Sequence, residues 1–401
     1  MRIIIINSYY APEIRGGAEY SVKKLAEGLT KEGHTVRVLC TGNGVHENID
    51  GVDVVRLRTA GLHYEGDIHD VPRWKRLLGH LIGIWNIGNY KMVIHEIEEF
   101  KPDVVNTNNL YGFSPIVWKA VKDSKVRLVH TIRDYHLMCP LVAMSCKKTG
   151  GKKCTNPMAS CRLHRNLNRF HSKYVDVVTA PSSITLNVLT EDGFFKNSKK
   201  VVIPNATDFE EDQVVSLLEK KKSKENHVVS YVYLGTLSEQ KGIRWMIDSF
   251  NELEKGTAKL YIAGKGDLTG YVEQEVKKND NIEYVGFLTE KDVSDLLKKT
   301  DVLLCPSLWE EPFGRVVLDA YKHAMPVICS NMGALPELVK DGKTGYVVDA
   351  SDQNMMVKKM AHYITCPEEI LIHAENGVRE LRHYTIERQL SLFEECYGQD
   401  V

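Results

Sequence analysis

Glu311 and Asp319 stand eight residues apart in the segment from Pro306 to Glu337, which reads PSLWEEPFGRVVLDAYKHAMPVICSNMGALPE. Glu311 lies in a turn rich in Pro and Gly. Asp319 falls in Gly314 to Tyr321, where Val316, Val317 and Ala320 have helical spacing and predict an inward apolar face. A helix beginning near Gly314 points its unpaired N-terminal amides at whatever sits before Glu311. Such amides favour phosphate, while carboxylates accept hydrogen bonds from sugar hydroxyls. The pair therefore predicts a site for an anion joined to a polyhydroxylated group. Lys241 adds a cation near the start of another expected helix, where it neutralises a leaving diphosphate. Taken alone, Lys241 reads better as a solvated surface lysine, and Glu310, one position out of register, is expected to face outward.

The elements that must hold these groups are visible as short apolar strands alternating with amphipathic helices, the pattern of parallel sheets covered on both faces. In the first half, strands are expected at Ile3–Ile6, Thr35–Cys40, Asp53–Leu57, Val104–Asn106, Val126–Thr131, Val177–Ala180 and Val201–Ile203. A helix from about Ala18 to Gly33 follows the first strand. Gly16 and Gly17 sit between the two, either as a turn needing positive φ or as backbone that lets a ligand approach closely. Arg133 closes another strand at the edge where open α/β sheets bind ligands; it stays protonated and is no general base. His130, inside that strand, is read as structural. After a charged connection, Asp208–Asn226, strands restart at Val228–Leu234, Lys259–Ala263, Ile282–Val285, Val302–Cys305, Val327–Ser330 and Gly345–Val347.

The Pro306–Glu337 block resembles the E-x7-E signature of retaining glycosyltransferases of family 4, with Asp319 where the second Glu is usual. Gly16-Gly17-Ala18-Glu19 is similar to that family's early glycine pair, and Gly235-Thr236-Leu237 through Lys241-Gly242 to its G-R-L-x-x-x-K-G, with Thr236 in place of Arg. The resemblance implies an α/β chain of the GT-B type: two Rossmann-like domains facing across a cleft, 1–206 completed by a C-terminal helix at 385–401, and 207–384. It implies transfer of a sugar from a nucleotide-sugar to the hydroxyl of a carbohydrate or lipid-linked sugar acceptor, in polysaccharide or glycolipid assembly. Glu311 then orients the sugar, Asp319 holds the ribose, Lys241 meets the diphosphate, and Arg133 stands where the family often has His. Gly16, Gly17, Gly235, Thr236, Gly264, Gly266, Phe287, Phe313, Gly314 and Gly333 complete the donor set by the same resemblance. No protein nucleophile is required, and the absence of a D-x-D motif agrees with amides and Lys241 replacing a catalytic metal. Two rival readings are a sugar-binding or scaffolding subunit with weak turnover and an oxidoreductase, the latter lacking any G-x-G-x-x-G fingerprint.

Cys139, Cys146, Cys154 and Cys161 form a cluster among nine cysteines. Four thiolates close a structural zinc site, but the spacing is not the paired C-x-x-C, and free thiols or disulfides stay open as alternatives. A net charge of −1 provides no general pull toward nucleic acid. No apolar run reaches the roughly 18 residues of a membrane span, so a cytoplasmic protein is expected. Arg73, Lys75 and Arg76 precede an apolar stretch to Tyr90, read either as a buried helix with a basic start or as a peripheral contact with the inner face of a membrane.

Overall fold

The computed structural model describes residues 1–14, 16–59, 86–142, 144, 154–222 and 228–398. They form two compact units. Met1–Met144, Cys154–Ala206 and the C-terminal helix Ile386–Gly398 belong to the first, and Thr207–Thr385 to the second.

The first unit has strands β1 (Arg2–Ile6), β2 (Thr35–Thr41), β3 (His46–Ile49), β4 (Val52–Leu57), β5 (Val104–Thr107), β6 (Arg127–Thr131), β7 (Val177–Ala180) and β8 (Lys199–Val202), in the order β3-β4-β2-β1-β5-β6-β7-β8. All pairings are parallel except β3 with β4. Ile3 to Ile6 are fully buried, which is why β1 shows a continuous apolar run instead of alternation. The hairpin strand β3, His46-Glu47-Asn48-Ile49, has no apolar run and was not expected. The C-terminal helix lays Leu390, Phe393 and Tyr397 into the same core as Ile3, Val22 and Val104. The Asn106 carboxamide donates to the Tyr397 hydroxyl at 2.6 Å, tying the chain end to β5.

The second unit has strands β9 (Val229–Leu234), β10 (Ala258–Ala263), β11 (Ile282–Gly286), β12 (Val302–Cys305), β13 (Val327–Ser330) and β14 (Gly345–Val348), all parallel, in the order β11-β10-β9-β12-β13-β14. The charged connection expected over Asp208–Asn226 is largely helical instead, at Glu211–Lys222. Val214 and Leu218 bury one side of it, and Lys221 donates to the Thr300 carbonyl at 2.8 Å, beyond the end of helix Glu290–Lys299. Val214 and Leu218, with Leu217 packed beside them, seat a run otherwise rich in Glu and Lys.

Each sheet has one point where strand order reverses: between β1 and β5 in the first unit, and between β9 and β12 in the second. Ligands of open α/β sheets bind outside the carboxyl ends of strands at such points. In the second unit, Lys241 follows β9 and Glu311 follows β12.

Candidate active site

Lys241 closes a short helical turn, Glu239–Lys241, and Gly242 then opens helix Ile243–Asn251. Gly242 has φ +72°, and a Cβ on it would lie 1.9 Å from the Pro306 carbonyl oxygen. Only glycine lets the β9 loop press so closely onto the β12 loop. The Leu308 amide donates to the Gln240 carbonyl at 2.8 Å, joining the two loops again. This contact delivers the Lys241 ammonium onto Glu311 Oε1 and sets it 4.9 Å from the centre of the Trp309 ring. Ser307 Oγ donates to the same Oε1 at 2.6 Å.

Glu311 is only 7% exposed. A buried carboxylate demands charged or hydrogen-bonding partners, and Lys241 and Ser307 supply one of each, both on Oε1. Oε2 is thereby left for another donor. Behind Glu311, Gly333 has φ +57°, and a Cβ there would come within 2.3 Å of the Glu311 amide nitrogen. The Ala334 amide donates to the Glu311 carbonyl at 2.8 Å. The glycine segment after β13 thus fixes the backbone of the β12 turn. Burial, with the Glu311 charge second, pushes the nearby Cys305 thiol up to about 12, so it remains protonated and is no nucleophile.

The other expected donor residues fall into three groups. Gly235, Thr236, Gly264 and Gly266 lie together at the ends of β9 and β10. Gly264 approaches the Gly235 carbonyl too closely for any Cβ, and Leu237 donates to the Lys265 carbonyl at 3.1 Å. Thr236 is exposed, with its carbonyl held by the Tyr233 hydroxyl at 2.8 Å. Phe287, after β11, is 72% exposed with the Lys265 ammonium 4.8 Å above its ring. Gly314, at φ +98°, opens helix Arg315–Lys322; Asp319 is half-buried on that helix, its carbonyl accepting from His323 Nδ1 at 2.7 Å. Phe313 presents a buried side chain. Its ring is buried in the core and lies edge-on to Tyr384 at 6.1 Å, which leaves only its backbone for a donor.

In the first unit the corresponding edge is a layer of side-chain amides. Arg133 is buried, donating from Nε to Asn108 Oδ1 at 3.0 Å and from Nη1 to Asn205 Oδ1 at 2.6 Å. Two carboxamides thus hold the guanidinium in one orientation. His130 sits below, bonded to Thr107 Oγ1 at 2.9 Å, and burial holds its imidazole down to about 3. It is structural. Burial pushes the neighbouring Asp134 carboxyl up to about 6, although the His136 amide donates to its Oδ1 at 2.8 Å. Asp134 therefore titrates higher than an ordinary carboxyl. Gly16 is extended at φ −172°, so no turn strain demands glycine; the nearest atom to a Cβ there is Glu19 Oε2 at 3.7 Å. Gly17 is the first residue of its helix.

Sequence reasoning missed Ser307, Asn108 and Asn205, none of which carried a signal, and read Gly242 only as the glycine after Lys241. Cys139, Cys154 and Cys161 are free thiols, with Cys139 within electrostatic reach of the other two and accepting from the Leu141 and Met144 amides. Cys146 lies outside the described residues, as do residues 72–85. Among the described residues no three of His, Cys, Asp and Glu gather as a metal-binding group, and no helix is long and apolar enough to cross a membrane.

Two family profiles match the chain. Glycosyltransferase Family 4 covers residues 15–211, and Glycosyl transferases group 1 covers 216–380. A 42.6 kDa protein of the Klebsiella pneumoniae cps region is 31% identical over 84% of this chain and 87% of its own length. The chain is a family 4 glycosyltransferase. Its GT-B fold is shared with Anabaena HepE, solved in complex with UDP-glucose, at a TM-score of 0.69 and 17% identity over 98% of both chains. It is shared also with WaaG, a glycosyltransferase involved in lipopolysaccharide biosynthesis, at 0.66 and 16% over 99% of this chain and 100% of that one. Within this glycosyltransferase, the Lys241–Glu311 edge of the second unit is the leading candidate for the active site.

Proposed function

We propose that this glycosyltransferase moves a sugar from a nucleotide-sugar to an acceptor hydroxyl with retention of anomeric configuration. The observation that carries the reading is the Glu311 carboxylate, buried, gripped through Oε1 by Ser307 and Lys241, with Oε2 left to accept from sugar hydroxyls. That grip fixes the carboxylate before any donor arrives, which is the preorganisation that transition-state stabilisation requires. Lys241, 28% exposed on its side chain, retains room to contact a diphosphate while still paired to Glu311. As the glycosidic bond to phosphate breaks, negative charge grows on the diphosphate, and the ammonium stabilises it. Asp319 is assigned to the ribose hydroxyls, and the leaving phosphate itself takes the acceptor proton.

Thr236 lacks the charge usual at its position, so Lys241 carries more of the diphosphate interaction here than in relatives with two cations. HepE's complex with UDP-glucose supports a uridine diphosphate sugar as the first donor to try. Acceptor recognition is assigned to the first unit, around Arg133, while Gly16 and Gly17 stay with the donor. The cps-region relative and the lipopolysaccharide enzyme with the same fold support a carbohydrate or lipid-linked acceptor in surface polysaccharide assembly. A thermal-shift screen against UDP-, GDP-, ADP- and CMP-sugars tests the donor class, followed by NMR of the product's anomeric configuration. Stabilisation by one nucleotide series and a retained anomer are expected. No shift with any donor, or an inverted product, contradicts the reading.

A further inference from the structure

Helix Ala159–His171 is built inside out. The residues it buries are His164, Asn168 and His171. They hold it by polar contacts: His164 Nε2 to the His136 carbonyl at 2.8 Å, and the Asn168 carboxamide to the Leu137 carbonyl at 3.0 Å. Leu163 and Phe170, seven positions apart and so on one helical stripe, are 44% and 50% exposed. Half-buried Leu167 lies between them, and Met158, just before the helix, is 44% exposed. A surface helix of a globular protein ordinarily does the reverse, turning its apolar stripe to the core.

The charge on this face has one sign. From Met158 to Tyr174 there are four cations, Arg162, Arg165, Arg169 and Lys173, and no Asp or Glu. Arg165 Nη1 reaches Asp192 Oδ1 at 3.1 Å, and Arg169 Nη1 donates to the Asp192 carbonyl at 2.5 Å, so these two pin the helix to the body. Arg162 and Lys173 are exposed, and the Lys173 ammonium stands 3.7 Å from the centre of the Phe170 ring and 5.1 Å from that of Tyr174. Large apolar side chains with cations beside them match the boundary of an anionic bilayer, where apolar groups enter the acyl edge and cations meet headgroups. Nucleic acid would reward the cations and leave Leu163 and Phe170 without a partner.

We propose that the outer face of this helix docks the protein onto an anionic lipid surface. None of its residues is among those assigned to sugar transfer. Co-sedimentation of the full chain with vesicles of phosphatidylcholine alone, and with about 30 mol % phosphatidylglycerol, tests it. Binding to the anionic vesicles is expected, with each lost cation weakening it roughly five-fold. The double variant Leu163→Glu/Phe170→Glu should bind at least about ten-fold more weakly, as should Arg162→Glu/Lys173→Glu, while the thermal shift by donor stays that of wild type. Equal binding by either variant, equal binding to neutral vesicles, or capture of duplex DNA in place of vesicles overturns the proposal. A variant that loses its cooperative melting transition has lost its fold; the separate variants Leu163→Ser and Phe170→Ser then decide by the same comparison.

Discussion

In the second unit the loops after β9, β10, β12 and β13 are pressed together backbone against backbone. In the first unit the loops at the strand ends are joined by side chains, with Arg133 spanning Asn108 and Asn205. The difference is one of tolerance. Backbone contacts at glycines leave no atom to trim and no room to add one, so they hold Lys241 and Glu311 rigidly. A layer of carboxamides can be altered one side chain at a time, at the cost of the hydrogen bonds each makes.

Adding one methyl group to the backbone-built edge should have the largest effect. Gly242→Ala places a Cβ 1.9 Å from the Pro306 carbonyl at φ +72°. A cost above about 3 kcal/mol is expected, a melting temperature lower by roughly 6–12 °C, and transfer reduced more than about 100-fold. An unchanged melting temperature would erase the contrast. Arg133→Ala comes next. It orphans the acceptors of two buried carboxamides and should cost about 2 kcal/mol, with Arg133→Lys recovering less than half because an ammonium cannot span both. Full recovery by lysine would mean that charge, not the fork, is what matters.

The pH dependence of the first unit is smaller and has a definite sign. Burial holds His130 down to about 3 and His171 down to about 4, and pushes Asp134 up to about 6. A depressed histidine contributes stability above its unfolded pKa of about 6.5, lost as pH falls; a raised carboxyl contributes stability below about 4, lost as pH rises through 6. Two groups oppose one. Denaturation followed from pH 6.5 to 5 should lose about 1 kcal/mol per pH unit, and Asp134→Asn should steepen that slope. A slope unchanged in the variant would remove Asp134 from the account. Last, metal analysis should find about one zinc per chain if Cys139, Cys154 and Cys161 belong to a closed site, and its removal should leave the second unit's donor response intact. Less than about a tenth of one zinc in folded protein excludes the site.

The strands that carry both edges were legible because parallel sheets bury both faces and leave contiguous apolar runs such as Ile3 to Ile6. The polar hairpin strand β3 had no such run. Helix Glu211–Lys222 was hidden by its charges, with Val214, Leu217 and Leu218 seating it. At the site, Lys241 and Glu311 were legible from spacing and resemblance together. Ser307 was not, since a serine four residues before a glutamate has no distinguishing pattern. Asn205 is 72 residues from Arg133, and a neutral amide gives no hint of a partner so distant. The burial of the Phe313 ring was hidden too, because adjacency to Gly314 says nothing of which way a ring turns. The orientation of helix Ala159–His171 was equally hidden: periodicity locates an apolar stripe without saying whether the core receives it.

Calorimetric titration of the best-stabilising nucleotide-sugar into wild type and Lys241→Met, with folding checked by melting, tests the central assignment most directly. Loss of one charged hydrogen bond to the diphosphate should raise Kd roughly 30-fold while the variant remains folded. Equal affinity in a folded Lys241→Met variant would contradict the assignment of the Lys241–Glu311 edge as the donor site.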